Sequence, residues 1–188
     1  KVMKNELKRA NVFISVSSLV LALLAFGLFG KDPIRFERIS VEQGLQQNIV
    51  MSVLQDYKGF LWIGTSDGLN RYDGYGFKLY KHDPNNHASL PNNKVHYIYQ
   101  DKSNNLWFAS DGGLSKYDRL TDSFVNYCHL DDNPDSLISN EVFYILEDSR
   151  GNFWIGTYSA GLDKFVDGKK FIHYGHKPDD PYSLSNNN

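Results

Sequence analysis

Gly59-Phe-Leu-Trp62-Ile-Gly-Thr65, followed by Gly68-Leu69-Asn-Arg-Tyr72-Asp73, is the stretch that decides the fold. It returns as Leu106-Trp107-Phe-Ala-Ser110 with Gly113-Leu114 and Tyr117-Asp118. It returns again as Phe153-Trp154-Ile-Gly-Thr157 with Gly161-Leu162 and Phe165. The tryptophans are 45 and 47 residues apart. A period of that length marks a repeat architecture, and the repeat sets the fold before any single residue suggests chemistry.

Working outward, each copy is preceded by an apolar alternating run: Ile49–Gln55, Val95–Gln100 and Val142–Glu147. Between run and core lies a turn: Asp56-Tyr-Lys-Gly59, Asp101-Lys-Ser-Asn104 or Asp148-Ser-Arg-Gly151. Asp caps local N–H groups at the first turn position, and Gly or Asn tolerates positive φ at the last. Asp67-Gly68, Gly112-Gly113 and Ala160-Gly161 signal hairpins to a third strand. Gly76–Lys81, Ser123–Cys128 and Lys170–Gly175 read as a fourth. Loops rich in Asp, Asn and Pro then lead onward.

Four antiparallel strands per unit predict an all-β fold, a partial β-propeller of about three blades at residues 48–92, 93–139 and 140–186. Residues 187–188 would begin a fourth. Three blades fall short of the four to eight of closed rings, so the chain reads as truncated and of marginal solubility on its own. A β-sandwich is the alternative architecture, but it does not require near-identical units. No helical periodicity persists after residue 31.

The repeated residues read as structural. Alternation puts Trp62, Trp107 and Trp154 on one face. Each would bury about 200 Å² between blades, an upper bound of roughly 5 kcal/mol. Gly64 and Gly156 (Ala109 in the second unit) suit a crowded blade interior. Leu69, Leu114 and Leu162 complete the core, and Asp56, Asp101 and Asp148 belong to turns. A sugar-stacking role for the tryptophans is the functional alternative. Packing is preferred, because an aromatic present in every unit answers a need every unit shares.

Residues 31–47 form a lead-in segment, and the alternation Ile34–Ser40 predicts a strand there. Before it, Met3-Lys-Asn-Glu-Leu-Lys-Arg9 is net basic, and Val12–Gly30 is a run of 19 uncharged residues. As a helix that run would span roughly 28 Å, near the thickness of a bilayer core. Residues 1–30 therefore read as a hydrophobic helix serving as signal peptide or membrane anchor, with the signal peptide favoured and the remainder exported. A buried core helix is the other reading, disfavoured because the run has no polar face.

Among its 188 residues, 41% are hydrophobic and 14% aromatic, ample for a core. A net charge of -2 gives no footprint for nucleic acid. The single cysteine, Cys128, excludes an intrachain disulfide framework. His82 recurs as His129 and His176, so it reads as structural. A metal site from His82, Asp83 and His87 is less plausible than a turn, and His96 lies near the same loop. Asp131, Asp132 and Asp135 lack the Gly and distal Glu of a calcium loop. No nucleophile elbow, zinc-protease helix or phosphate-cradling loop occurs, and Glu147-Asp148 sits at repeat positions. No catalytic, cofactor-binding or metal residues are assigned, and no cofactor is expected in this segment.

The units resemble the two-component regulator propeller repeat. Asn48, Asp56, Gly59, Leu61-Trp62-Ile63-Gly64-Thr65, Gly68-Leu69 and Tyr72-Asp73 carry the likeness, and two further copies follow in register across residues 34–188. The second copy departs at Asn104 and at Phe108-Ala109-Ser110, and the third inserts a residue around Ala160. The resemblance implies a periplasmic, ligand-sensing propeller of a membrane-bound sensor histidine kinase, often a hybrid one, facing the periplasm at the inner membrane. It also implies a small-molecule or oligosaccharide ligand, a homodimer in the full-length protein, and kinase parts outside these residues. An exported binding scaffold without a kinase, or a secreted lyase or glycosidase, are the alternatives.

Overall fold

The computed structural model describes residues 35–187. The hydrophobic helix expected over residues 1–30 lies outside them. The chain divides into a unit ending at Arg38 and a second unit, Ile39–Asn188, which holds all the strands.

Among the described residues, twelve strands form three four-stranded antiparallel sheets, each a simple meander. The first blade is β1 (Val50–Gln55), β2 (Leu61–Thr65), β3 (Gly68–Tyr72) and β4 (Phe77–Tyr80). The second is β5 (Val95–Gln100), β6 (Leu106–Ser110), β7 (Gly113–Asp118) and β8 (Ser123–Tyr127). The third is β9 (Val142–Glu147), β10 (Phe153–Thr157), β11 (Leu162–Val166) and β12 (Lys170–Tyr174). The all-β propeller blades read from the repeat are therefore present.

The blades converge at their first strands. β1 lies beside β5, and β5 beside β9. The Ile98 amide of β5 donates to Ser52 Oγ of β1 at 3.1 Å, linking two inner strands. Aromatic and aliphatic side chains fill each seam. Trp62, Leu69 and Tyr80 of the first blade pack with Val95, Ile98, Leu106, Phe108, Tyr117 and Phe124 of the second. Trp107, Ala109 and Leu114 do the same with Val142, Ile145, Phe153, Ile155 and Phe171 of the third. Sheets interlock here because alternate residues of each strand project toward a neighbour.

Loops tie each blade to the next. The loop after β4 runs to β5, and its Ala88 carbonyl accepts the Phe124 amide of β8 at 2.9 Å. Asp135 accepts from Phe171 of β12 in the same way, also at 2.9 Å. A second tether follows the apolar residue of two of the three segments that lead into a blade. Gln46 N–H donates to Asn70 Oδ1 (3.3 Å) and Ile138 N–H to Asp163 Oδ2 (2.9 Å). The corresponding loop residue between the first two blades is Pro91, which has no N–H. Opposite it stands Ser115, which bonds Asn126 instead.

The strand predicted over Ile34–Ser40 does not form among the described residues. Residues 35–40 have no regular structure, and the first element is a 3-10 turn at Val41–Gln43. Alternation alone makes no strand without a partner edge. Here Ser40 instead caps the turn: its Oγ accepts the Glu42 amide, and Gln43 Oε1 accepts the Ser40 amide at 2.9 Å.

Candidate ligand-binding rim at the inner strands

The repeated polar residues use their bonding capacity inside the scaffold. Each turn aspartate meets the tryptophan six residues later. Trp62, Trp107 and Trp154 donate Nε1–H to Asp56, Asp101 and Asp148 at 3.0, 2.9 and 3.1 Å. The other carboxylate oxygen accepts two backbone amides of its own turn, those of Lys58 and Phe60 in the first copy. Asp56 is also paired with Arg119 of the second blade at 3.0 Å. Burial opposes its charge, but the bonds from Trp62, Arg119 and the two amides outweigh that and hold its pKa below the usual range.

A second recurring bond explains the strand-ending hydroxyl. Thr65, Ser110 and Thr157 donate to the carbonyls of Gly68, Gly113 and Gly161 at 2.8, 3.1 and 2.8 Å, closing the hairpin. A third staples the loops. His82, His129 and His176 engage the carbonyls of Leu90, Leu137 and Leu184 through Nδ1 at 2.8, 2.6 and 2.7 Å. Their backbone amides donate to Asn93, Asn140 and Asn187. Among the described residues, no group of three or more His, Cys, Asp or Glu is placed to hold a metal. Asp131 is almost fully exposed, and Asp135 pairs with Lys170 at 2.9 Å.

Leu69 and Leu114 are completely buried, and Leu162 is half-buried. Trp62 and Trp107 are buried, whereas Trp154 is half-exposed, on a face with Tyr144, Leu146 and Leu162. Gly64 and Gly156 occupy equivalent positions in β2 and β10. A side chain at Gly64 would press on Val95, while one at Gly156 would meet only Tyr144 Cβ, at 3.4 Å.

The rim of the inner strands is where the copies differ. Each inner strand has a β-bulge at the same place. Val50 pairs with Thr65 and Ser52 with Gly64, leaving Met51 outside the register. His96 and Phe143 are left out in the same way. A bulge lifts one residue out of the ladder and re-aims its side chain.

His96 is fixed there. Its Nε2 shares a 2.5 Å hydrogen bond with Asp111 Oδ1, and Lys94 reaches the same carboxylate at 3.1 Å. Burial disfavours the Asp111 charge, yet the bonds from His96 and Lys94 lower its pKa. The His96 ring stacks on Phe143 at 3.9 Å between centroids, and Phe143 stacks on Tyr158 at 5.3 Å. Tyr158 is exposed. The result is a row of three flat rings ending in solvent, with a lysine–aspartate pair at its root. A cleft of about 560 Å³ adjoins it, lined by His82, His87, Asn92, Asp111, Asn126 and Asn140 among others. Flat apolar faces beside convergent polar groups suit a cyclic, hydroxyl-bearing ligand.

Of the rim residues, only His96 stands out in the sequence, and there it is grouped with His82 and His87. The structure joins it to Asp111, Phe143 and Tyr158, and places His82 and His87 in the cleft that Asp111 also lines. The overlooked signal is variation at one repeat position: Met51, His96 and Phe143, with Ser66, Asp111 and Tyr158 facing them across the hairpin.

The two-component regulator propeller model matches residues 44–67, 89–112 and 136–159. Histidine kinase P4 of Formosa agariphila is 38% identical over 79 residues, covering 41% of this chain and 6% of that protein. The extracellular domain of the hybrid two component system BT3049 from B. thetaiotaomicron is 34% identical, with a TM-score of 0.70 over 76% of this chain and 20% of that one. The corresponding domain of BT4673 from the same organism gives 28% identity and a TM-score of 0.61, covering 76% and 21%. The chain thus spans a small part of each of these relatives. Each of its three blades, with one Asp–Trp bond, one hairpin bond and one loop staple, thus carries a match to the two-component regulator propeller repeat.

Proposed function

We propose that this chain is part of the ligand-sensing propeller of a membrane-bound sensor histidine kinase, of the hybrid type, exported to the periplasmic face of the inner membrane. The observation that carries this reading is the 34% identity and 0.70 TM-score to the extracellular domain of a hybrid two component system. The rim supports a sensing role: residues that build the blade repeat, while those left out of the ladder at the bulges do not. The ligand proposed is an oligosaccharide, whose ring faces would lie on Phe143 and Tyr158. Kinase chemistry would belong to other parts of the polypeptide. Binding would shift the packing of blades, or of two copies in a homodimer, and a membrane segment would relay that shift.

The test is autophosphorylation of the full-length protein in membrane vesicles, with a panel of oligosaccharides supplied from the propeller side. At least one glycan should change the rate of phosphate incorporation. Phe143→Ala and Tyr158→Ala should raise the concentration needed by tenfold or more. No incorporation of phosphate under any condition would exclude the kinase, and a rate indifferent to every glycan would exclude the oligosaccharide.

A further inference from the structure

At the opposite end of the seam between the first two blades lies a second cleft, of about 420 Å³. Tyr57, Ser103, Asn104, Asn105, Lys116 and Arg119 are among its lining. Two of these, Tyr57 and Arg119, do not recur from blade to blade. Arg119 stands where the other copies have Gly74 and Asp167, and Tyr57 where they have Lys102 and Ser149. At the next seam, Lys102 is instead committed to the third blade, bonding Glu147 Oε1 at 3.1 Å and the Asp148 carbonyl at 2.7 Å.

Arg119 is only half used. Its Nη1 donates to Asp56 Oδ2 at 3.0 Å, which anchors the guanidinium. Its Nε and Nη2 are shielded from solvent and have no hydrogen-bond partner. Those two N–H groups form one edge of the fork, the edge that matches the two oxygens of a carboxylate. Buried donors without acceptors are rare in folded proteins, and an absent ligand is one of the standing reasons for them. The Tyr57 ring covers the guanidinium, 4.9 Å from it. Tyr57 belongs to the exposed part of the Asp56–Gly59 turn, residues 57–59, and is itself 55% exposed, so its side chain is free to swing aside.

We infer that this cleft binds a small cyclic carboxylate. Its two oxygens would meet Arg119 Nε and Nη2, and the displaced Tyr57 ring would close over the ligand ring. Asp56 stays ionised and holds the guanidinium in place while its free edge is engaged. This site is separate from the rim, since it sits at the far end of the strands.

The experiment is calorimetric titration of the full-length protein with benzoate and with glucuronate, each beside its methyl ester. At least one free acid should bind, and its ester should bind tenfold or more weakly. Because Arg119 also pairs with buried Asp56, its replacement risks unfolding, so Ser103→Trp and Leu120→Trp serve to obstruct the cleft and should abolish binding. Phe143→Ala, at the rim, should leave it unchanged. Failure of both acids to bind, equal binding of acid and ester, or full binding by the Ser103→Trp variant would each overturn the assignment.

Discussion

Trp62 gives its indole N–H to Asp56, six residues earlier, and the same carboxylate accepts Arg119 from the adjoining blade. One side chain thus caps a turn, fixes the orientation of the largest core residue and binds two blades. The Asp56 carboxylate is fully shielded from solvent.

Removal of that carboxylate should therefore be severe. Asp56→Ala leaves the Trp62 indole, two turn amides and a buried guanidinium without their acceptor. Breaking a buried charge pair costs about 3–5 kcal/mol. The equivalent change at Asp148, whose indole partner is half-exposed, should cost less. Urea denaturation of the two variants measures the difference. Equal midpoints would show that Arg119 adds nothing to the Asp56 latch.

Acid should loosen the first seam through Asp122. This residue follows β7 and accepts the hydroxyls of Tyr80 (2.7 Å) and Tyr117 and the ammonium of Lys78. Burial opposes its charge, but the bonds from Lys78, Tyr117 and Tyr80 bring its pKa down from 3.8 to about 2. A lowered pKa means stability that is present above about pH 3.8 and lost as the pH falls toward 2. Thermal melting of the wild type should drop across that window. Asp122→Asn should melt lower at neutral pH and drop less below pH 4.

His173 should act in the opposite sense. Its Nδ1 meets Asp163 Oδ1 at 2.6 Å, and its Nε2 meets the Pro134 carbonyl at 2.9 Å. Burial disfavours the imidazolium, yet Asp163 outweighs that and raises the pKa above 6.5. The Asp163 pKa is itself raised, chiefly by burial. A raised histidine pKa gives stability that is complete below about pH 6.5 and lost as the pH climbs through the folded value. His173→Gln should remove that loss from the melting profile between pH 6 and 9. An unchanged slope would show that the histidine does not titrate with folding.

The same substitution should have different effects at two equivalent glycines. A Cβ on Gly64 would lie 3.0 Å from both Val95 Cγ1 and the Val95 carbonyl oxygen. The carbonyl is backbone and yields poorly, so Gly64→Ala should cost about 1–3 kcal/mol. At Gly156 the contact is an ordinary 3.4 Å, and the loss of unfolded-chain freedom should make Gly156→Ala neutral or stabilising by about 0.4–1 kcal/mol. Chemical denaturation of the two variants decides the point. The second blade already carries Ala109 at this position.

The strands and their meander order were legible because the signals are local. Asp-x-x-Gly, the alternating run and the hairpin glycine all act within a few residues. The lead-in strand over Ile34–Ser40 was misread because alternation says nothing about whether a partner edge exists. The union of Asp56 with Trp62 is not legible in the sequence, since a turn and a core position look like unrelated requirements. Arg119 is unreadable as their partner at a separation of 63 residues. The rim escaped notice because a bulge breaks the two-residue rhythm by which strand faces are assigned. Met51, His96 and Phe143 therefore looked like ordinary strand residues.

Those bulges have a further consequence. A residue lifted out of the ladder holds no information about register, so replacing it leaves every neighbouring pair aligned. Each duplicated blade thus inherits its shape from one set of positions and is left one unclaimed address at the mouth of the arc. Duplicates of a single ancestral unit are free to diverge there one at a time. A chain built this way can change what it presents at that address without relearning how to fold.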